Sequence, residues 1–135
     1  MSPVVPHFDC SEETAASGTH VLNVRGEIHL STAPRFAQCL QETIDQGNTR
    51  LVLDLSGVEF IDSTGLSALL NGLRRVIQAH GRMAIVCANP TVLRLFQITS
   101  LDETFDIFPE RPAAFAHVAA PPPDQPAGGS SGGAP

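Results

Sequence analysis

The sequence predicts an α/β fold: a small mixed β-sheet with helices packed mainly on one face, in which an opening antiparallel hairpin leads into alternating strands and helices. Three observations carry this. The apolar run Leu51-Val52-Leu53 with Leu55 suits a buried strand. Soon after it the hydrophobic period becomes helical, with Leu66, Leu69, Leu70, Leu73, Val76 and Ile77 on one stripe and Asn71, Arg74, Arg75 and Gln78 off it. Strand and helix patterns then keep alternating, which implies parallel strands joined by right-handed crossovers.

Pro6 to Cys10 reads as a first short strand, Glu12 to Gly18 as a turn, and His20 to Gly26 as a second strand, so these segments form the hairpin. Ser31-Thr32 ahead of Pro34 announces a helix. Its apolar positions Phe36, Ala37, Leu40 and Ile44 share a face before Gly47 ends it. The central strand starts at Leu51 and breaks at Ser56-Gly57, and Val58 to Ile61 leads into the corner Asp62-Ser63-Thr64-Gly65. The stripe from Leu66 to Ile77 is expected in the core, and Gly81 closes its helix. Arg82 to Cys87 is the next strand, and Asn89-Pro90 supplies the cap and first turn of a short helix carrying Val92, Leu93 and Phe96. A last strand is expected over Thr104 to Phe108 and a final short helix over Glu110 to Val118. One domain therefore spans residues 6–118. The Pro-, Gly- and Ser-rich segment 119–135 has nothing to bury and is expected to be a disordered tail.

The 135-residue length suits one domain with a modest core. A net charge of -6, the absence of Lys and the scattering of eight Arg argue against a nucleic-acid or anionic-membrane surface and favour an acidic protein-docking surface. Cys10, Cys39 and Cys87 are an odd number without a Cys-x-x-Cys pair, so neither a disulfide framework nor a zinc site is suggested. Reduced thiols are expected, two or three of them in the core. No signal-peptide pattern opens the chain and no apolar stretch is long enough to span a bilayer, so a cytoplasmic location is expected.

Ser63 stands at a strand-to-helix corner, where a serine is most often an N-cap accepting a free backbone N–H. The residue three positions on is Leu66 and not Glu or Gln, so no capping box completes that role. Three chemical readings compete with it. A hydrolase elbow needs Gly-x-Ser-x-Gly, and Ile61 occupies the first Gly position; Asp102 and His117 would be its partners in chain order. An aspartic-protease motif would need Asp-Thr-Gly or Asp-Ser-Gly, and Asp62-Ser63-Thr64-Gly65 carries one residue too many. The third reading makes Ser63 a phosphate acceptor.

The segment Asp54-Leu55-Ser56-Gly57-Val58-Glu59-Phe60-Ile61-Asp62-Ser63-Thr64-Gly65-Leu66 closely resembles the signature of STAS-domain anti-anti-sigma factors, the anti-sigma factor antagonists of bacterial partner-switching systems. Gly26-Glu27-Ile28 resembles that family's Gly-Glu-Leu-Asp segment. Val92 to Asp102 with Phe105 resembles its closing helix and turn. The resemblance covers residues 6–117. It implies the STAS fold, and it implies that Ser63 is the serine phosphorylated by a cognate anti-sigma factor that is also a kinase, with Thr64 as the alternative acceptor. The unphosphorylated chain would bind that partner and release a sigma factor. Two residues depart from the family pattern. His29 stands where an acidic residue is usual, which could alter partner binding or make it pH-sensitive, and Ser100 replaces a frequent Gly, with a local backbone cost.

Partner-binding candidates near the corner and off the apolar stripe are Ser56, Glu59, Asp62, Ser63, Thr64 and Arg74, joined by His29. This reading makes the chain a binding protein and not an enzyme, and it calls for no cofactor and no metal. The alternative is a STAS scaffold subunit of a transporter or stress-signalling assembly that uses the fold without the kinase cycle.

Overall fold

The computed structural model describes residues 8–15 and 18–119. In chain order the elements are β1 (Phe8–Thr14), β2 (His20–Ile28), α1 (Ala33–Asp45), β3 (Arg50–Ile61), α2 (Ser63–Gln78), β4 (Arg82–Val86), α3 (Pro90–Ile98), a 3-10 turn (Leu101–Glu103), β5 (Ile107–Phe108) and α4 (Arg111–Ala119). The sheet runs β1-β2-β3-β4-β5, with β1 antiparallel to β2 and every later neighbour parallel. The hairpin and the α/β alternation are thus as the sequence predicts. The expected strand start at Pro6 and residues 120–135 of the expected 119–135 tail lie outside the described residues, while Ala119, the first residue of that tail, ends α4.

Alternate strand residues feed two cores. Leu22, Val24, Leu51, Leu53, Leu55 and Ile85 pack beneath α1, α2 and α3, against Phe36, Leu40, Leu69, Val76 and Phe96. The other face carries the smaller set Val21, Val52, Ala84 and Val86, which α4 covers with Ala114 and Val118. Helices therefore lie mainly on one face, with α4 alone on the other.

Four expectations need correction. Glu12 to Thr14 belong to β1 and not to a turn, because an edge strand tolerates polar residues. Here Glu12 pairs with His20 and Glu13 accepts from Asn23 across the hairpin. Ser56-Gly57 does not break β3: β2 pairs Asn23 with Asp54 but Arg25 with Gly57, so the extra residue is absorbed as a bulge and the ladder resumes. A Cβ on Gly57 would come within 2.8 Å of Arg25 Cγ, which is why the smallest residue stands there. The last strand shrinks to Ile107–Phe108 because the 3-10 turn takes up the preceding chain and sinks Phe105 into the core against Phe96. Ile77 is exposed, unlike Leu69 and Val76; at 100° per residue it lies about a quarter-turn from the centre of the buried line.

Candidate functional site

β3 ends at Ile61, and its parallel neighbour β2 ends at Ile28, so the loop from β2 to α1 and the corner from β3 to α2 emerge side by side at the carboxyl ends of the strands. They are laced together. The Asp62 N–H donates to the Ile28 carbonyl at 3.0 Å, and the Leu30 N–H reaches back to the Asp62 carboxylate. Within the loop, the Thr32 hydroxyl donates to the Glu27 carbonyl at 2.7 Å and accepts the His29 N–H at 2.9 Å. Gly65 is buried under this junction, where a Cβ would come within 2.7 Å of both Ile28 and Ile61 side chains.

The N-cap of α2 is Asp62 and not Ser63, which overturns the capping role expected of the serine. Asp62 has the extended backbone of a cap, and its Oδ1 accepts the N–H of Thr64 at 2.9 Å and of Gly65 at 3.1 Å. The Thr64 hydroxyl donates to the same oxygen. Burial pushes the Asp62 carboxyl up, but the Thr64 hydroxyl and the N–H groups of Gly65, Thr64 and Leu30 outweigh it and hold the carboxyl below its ordinary range. Asp62 is therefore an anion at neutral pH.

Ser63, the first helical residue, is exposed, and its hydroxyl has no hydrogen-bond partner among the described residues. Thr64 is half-buried with its hydroxyl engaged. The two candidate acceptors are thus unequal in access.

The other candidates divide by position. Glu59 is exposed and is the extra residue of a second bulge, since β2 pairs Gly26 with Val58 but Glu27 with Phe60. His29 lies in the loop beside the corner. Its Nδ1 accepts the Ser31 N–H at 3.2 Å, its Nε2 is 3.3 Å from Glu27 Oε1, and its ring centroid is 6.3 Å from that of Phe60. Arg74 is exposed three turns along α2, roughly 16 Å from Ser63 at the helical rise. Ser56 lies roughly 20 Å back along β3, in a separate cleft with Asn23, Arg25, Asp54, Gly57 and Arg111. The structure brings together Glu59, Asp62, Ser63, Thr64 and His29, and sets Ser56 and Arg74 apart from them.

Sequence reasoning missed two residues of this corner. Leu30 is 74% exposed and Phe60 45% exposed, and they flank Asp62 from the β2–α1 loop and from the end of β3. Their signal was an apolar residue beside a turn and off any stripe. The hydrolase constellation does not assemble. His117 lies on α4, across the sheet from α2, held by Asp106 Oδ2 at 2.9 Å and by Arg82 at the start of β4. No helix among the described residues is long and apolar enough to cross a membrane.

Comparison with known proteins agrees with this geometry. The STAS domain model matches residues 12–114. The anti-sigma-F factor antagonist RsfB of Mycobacterium tuberculosis is 34% identical over 92 residues, covering 68% of this chain and 75% of RsfB. The anti-sigma-B factor antagonist of Listeria monocytogenes is 30% identical over 84 residues, 62% of this chain and 74% of that one. Among solved structures, an anti-sigma factor antagonist from Mycobacterium paratuberculosis superposes with a TM-score of 0.78 at 31% identity, covering 84% of this chain and 96% of that one. With its sheet order, its Asp62-capped corner and most of its length matched by the domain model, the chain belongs to the STAS-domain family.

Proposed function

We propose that this chain is a cytoplasmic anti-sigma factor antagonist, a binding regulator and not an enzyme. Its unphosphorylated Ser63 corner docks onto an anti-sigma factor that is also a serine kinase. The relatives named above supply the partner class, being antagonists of anti-sigma factors at up to 34% identity. The single observation that supports the switch is the exposed, unpartnered hydroxyl of Ser63 at the first position of α2, beside a cap already completed by Asp62.

A phosphoryl group on Ser63 adds about -1.5 to -2 charge. The helix N-terminus tolerates an anion, so α2 need not unfold. The anionic Asp62 alongside it raises the local charge density, and the exposed Leu30 and Phe60 make the surroundings a surface that a partner would have to desolvate. Loss of affinity then follows from burying an unpaired charge, a penalty of a few kcal/mol and so roughly a hundredfold in Kd.

The test is incubation of the chain with its cognate anti-sigma factor and ATP, followed by phosphosite mapping by mass spectrometry. Phosphate on Ser63, loss of modification in Ser63→Ala and persistent binding by that variant are expected. Modification confined to Thr64 or to another residue, or equal affinity of Ser63→Ala and Ser63→Asp, would sink the reading.

A further inference from the structure

We propose that Cys10 and Cys39 form a reversible redox site, at which a low-molecular-weight disulfide oxidises the two thiols to a cross-link between β1 and α1. The proposal stands apart from the Ser63 reading and rests on how the fold juxtaposes two residues distant in sequence. Cys10 lies on the edge strand β1, opposite Val24 of β2, and Cys39 lies midway along α1. Both are half-buried and pack against the same core. They line one open cleft of about 260 Å3 with Phe8, Arg35, Gln38 and Glu42, so both cysteines border a single opening that a small molecule can reach. Cys87, the third cysteine, is buried.

The thiols are also chemically unequal. Cys10 hydrogen-bonds to Cys39, and that bond lowers the pKa of Cys39 against the opposing effects of burial and of Glu12 and Glu42. The same bond, with burial, pushes Cys10 up. Burial pushes Cys87 up as well. Cys39 is therefore the attacking thiol.

Its thiolate attacks one sulfur of the small disulfide, forming a mixed disulfide and expelling one small thiolate, which takes the proton that Cys39 lost. Cys10 sulfur then attacks Cys39 sulfur and expels the second small thiol, to which the Cys10 proton passes. In sum, two protein thiols become one disulfide and one small disulfide becomes two thiols. In a reducing compartment the dithiol is the resting form, and the cross-link reports an oxidising episode.

The experiment equilibrates the reduced full-length chain in glutathione buffers from reducing to oxidising. Free thiols are then alkylated, and peptides are mapped without reduction. Peptides containing Cys10 and Cys39 should appear joined with the loss of two hydrogens, while Cys87 is alkylated. Cys10→Ser should arrest with one glutathione on Cys39, and Cys87→Ser should keep the cross-link. Separate glutathione adducts on Cys10 and Cys39 without a cross-link, pairing of either with Cys87, or no oxidation where the urea-unfolded chain reacts would overturn the proposal.

Discussion

Asp62 secures the start of α2 through Thr64, taking both its N–H at 2.9 Å and its hydroxyl on a single carboxylate oxygen. The consequence is a division of labour in which one residue caps and its neighbour stays free. Asp62→Ala removes the cap and should cost about 0.5–2 kcal/mol in urea unfolding, whereas Ser63→Ala, which breaks no bond among the described residues, should leave the midpoint nearly unchanged. A loss for Ser63→Ala as large as that for Asp62→Ala would return the capping role to the serine.

Acid should expose a second carboxylate. Asp54 is buried beneath α4, where burial pushes its carboxyl up. The Ser56 hydroxyl and N–H and the Arg111 guanidinium, at 2.7 Å, reverse that and hold it below its ordinary range. Since both Asp54 and Asp62 have folded pKa values below their unfolded ones, of about 3.9, the stability they contribute is fully present above that value. It is lost as pH falls through the folded values. Arg111→Met leaves burial with less opposition, so the acid limb of a stability–pH profile should move to higher pH. At neutral pH the variant should lose about 1–2 kcal/mol, less than a fully buried pair because the Arg111 side chain is 34% exposed. A profile unchanged from the parent would mean that Arg111 does not hold Asp54.

The end of α2 shows where sequence reading meets its limit. Gly81 was the expected helix stop, and a glycine is indeed required, yet the left-handed residue is His80, with φ of 61°. Gly81 serves packing instead: a Cβ there would lie 2.1 Å from the Thr49 carbonyl oxygen, which also accepts the Arg82 N–H at 2.7 Å. The glycine was legible in the sequence, but its reason was not, because the obstruction comes from a backbone atom 32 positions earlier. Gly81→Ala should therefore cost about 1–3 kcal/mol, measured by urea denaturation. His80→Gly should gain up to about 1 kcal/mol. Equal and small effects at both positions would remove the distinction.

Ser100 gives the opposite case, a departure whose cost the sequence did foretell. It adopts φ 61° and ψ 15° just after α3, a conformation that a non-glycine residue enters at about 1–2 kcal/mol. Ser100→Gly should relieve most of this, less the entropy that glycine loses on folding, and raise Tm by a few degrees. A calorimetric scan showing no rise would mean that the turn is not strained.

The corner itself divides in the same way. Asp62, Ser63 and Thr64 were legible because their residue types, with a period change on either side, mark a strand turning into a helix. The bulges were not, since Ser56-Gly57 reads equally as a break or as an insertion until β2 is seen alongside. Nearness in sequence groups Ser56 with the corner, but the length of β3 between them sets it in another cleft. Arg74 was selected for lying off the apolar stripe, a criterion that fixes the face of a helix but not the distance along it. Leu30 escaped notice because a single exposed leucine in a loop carries no periodicity; only the bond from its N–H to Asp62 ties it to the site.

Leu30 and Phe60 therefore supply the sharpest test of the docking surface. Both are exposed apolar side chains beside the anionic cap, 74% and 45% accessible, so neither contributes much to the folded core. Large apolar groups at the centre of a protein interface commonly cost 2 kcal/mol or more on truncation, about thirtyfold in Kd. Leu30→Ala and Phe60→Ala should each weaken binding to the anti-sigma factor by that order while shifting the urea midpoint little. Ile77→Ala is the control: it removes a side chain 58% exposed near the far end of α2 and should leave both measurements near the parent values. If Ile77→Ala weakened binding as much as the other two, the interface would run along α2 and not across its N-terminal corner. Ser63 would then lie at its edge, where a phosphoryl group stays hydrated and should barely change affinity.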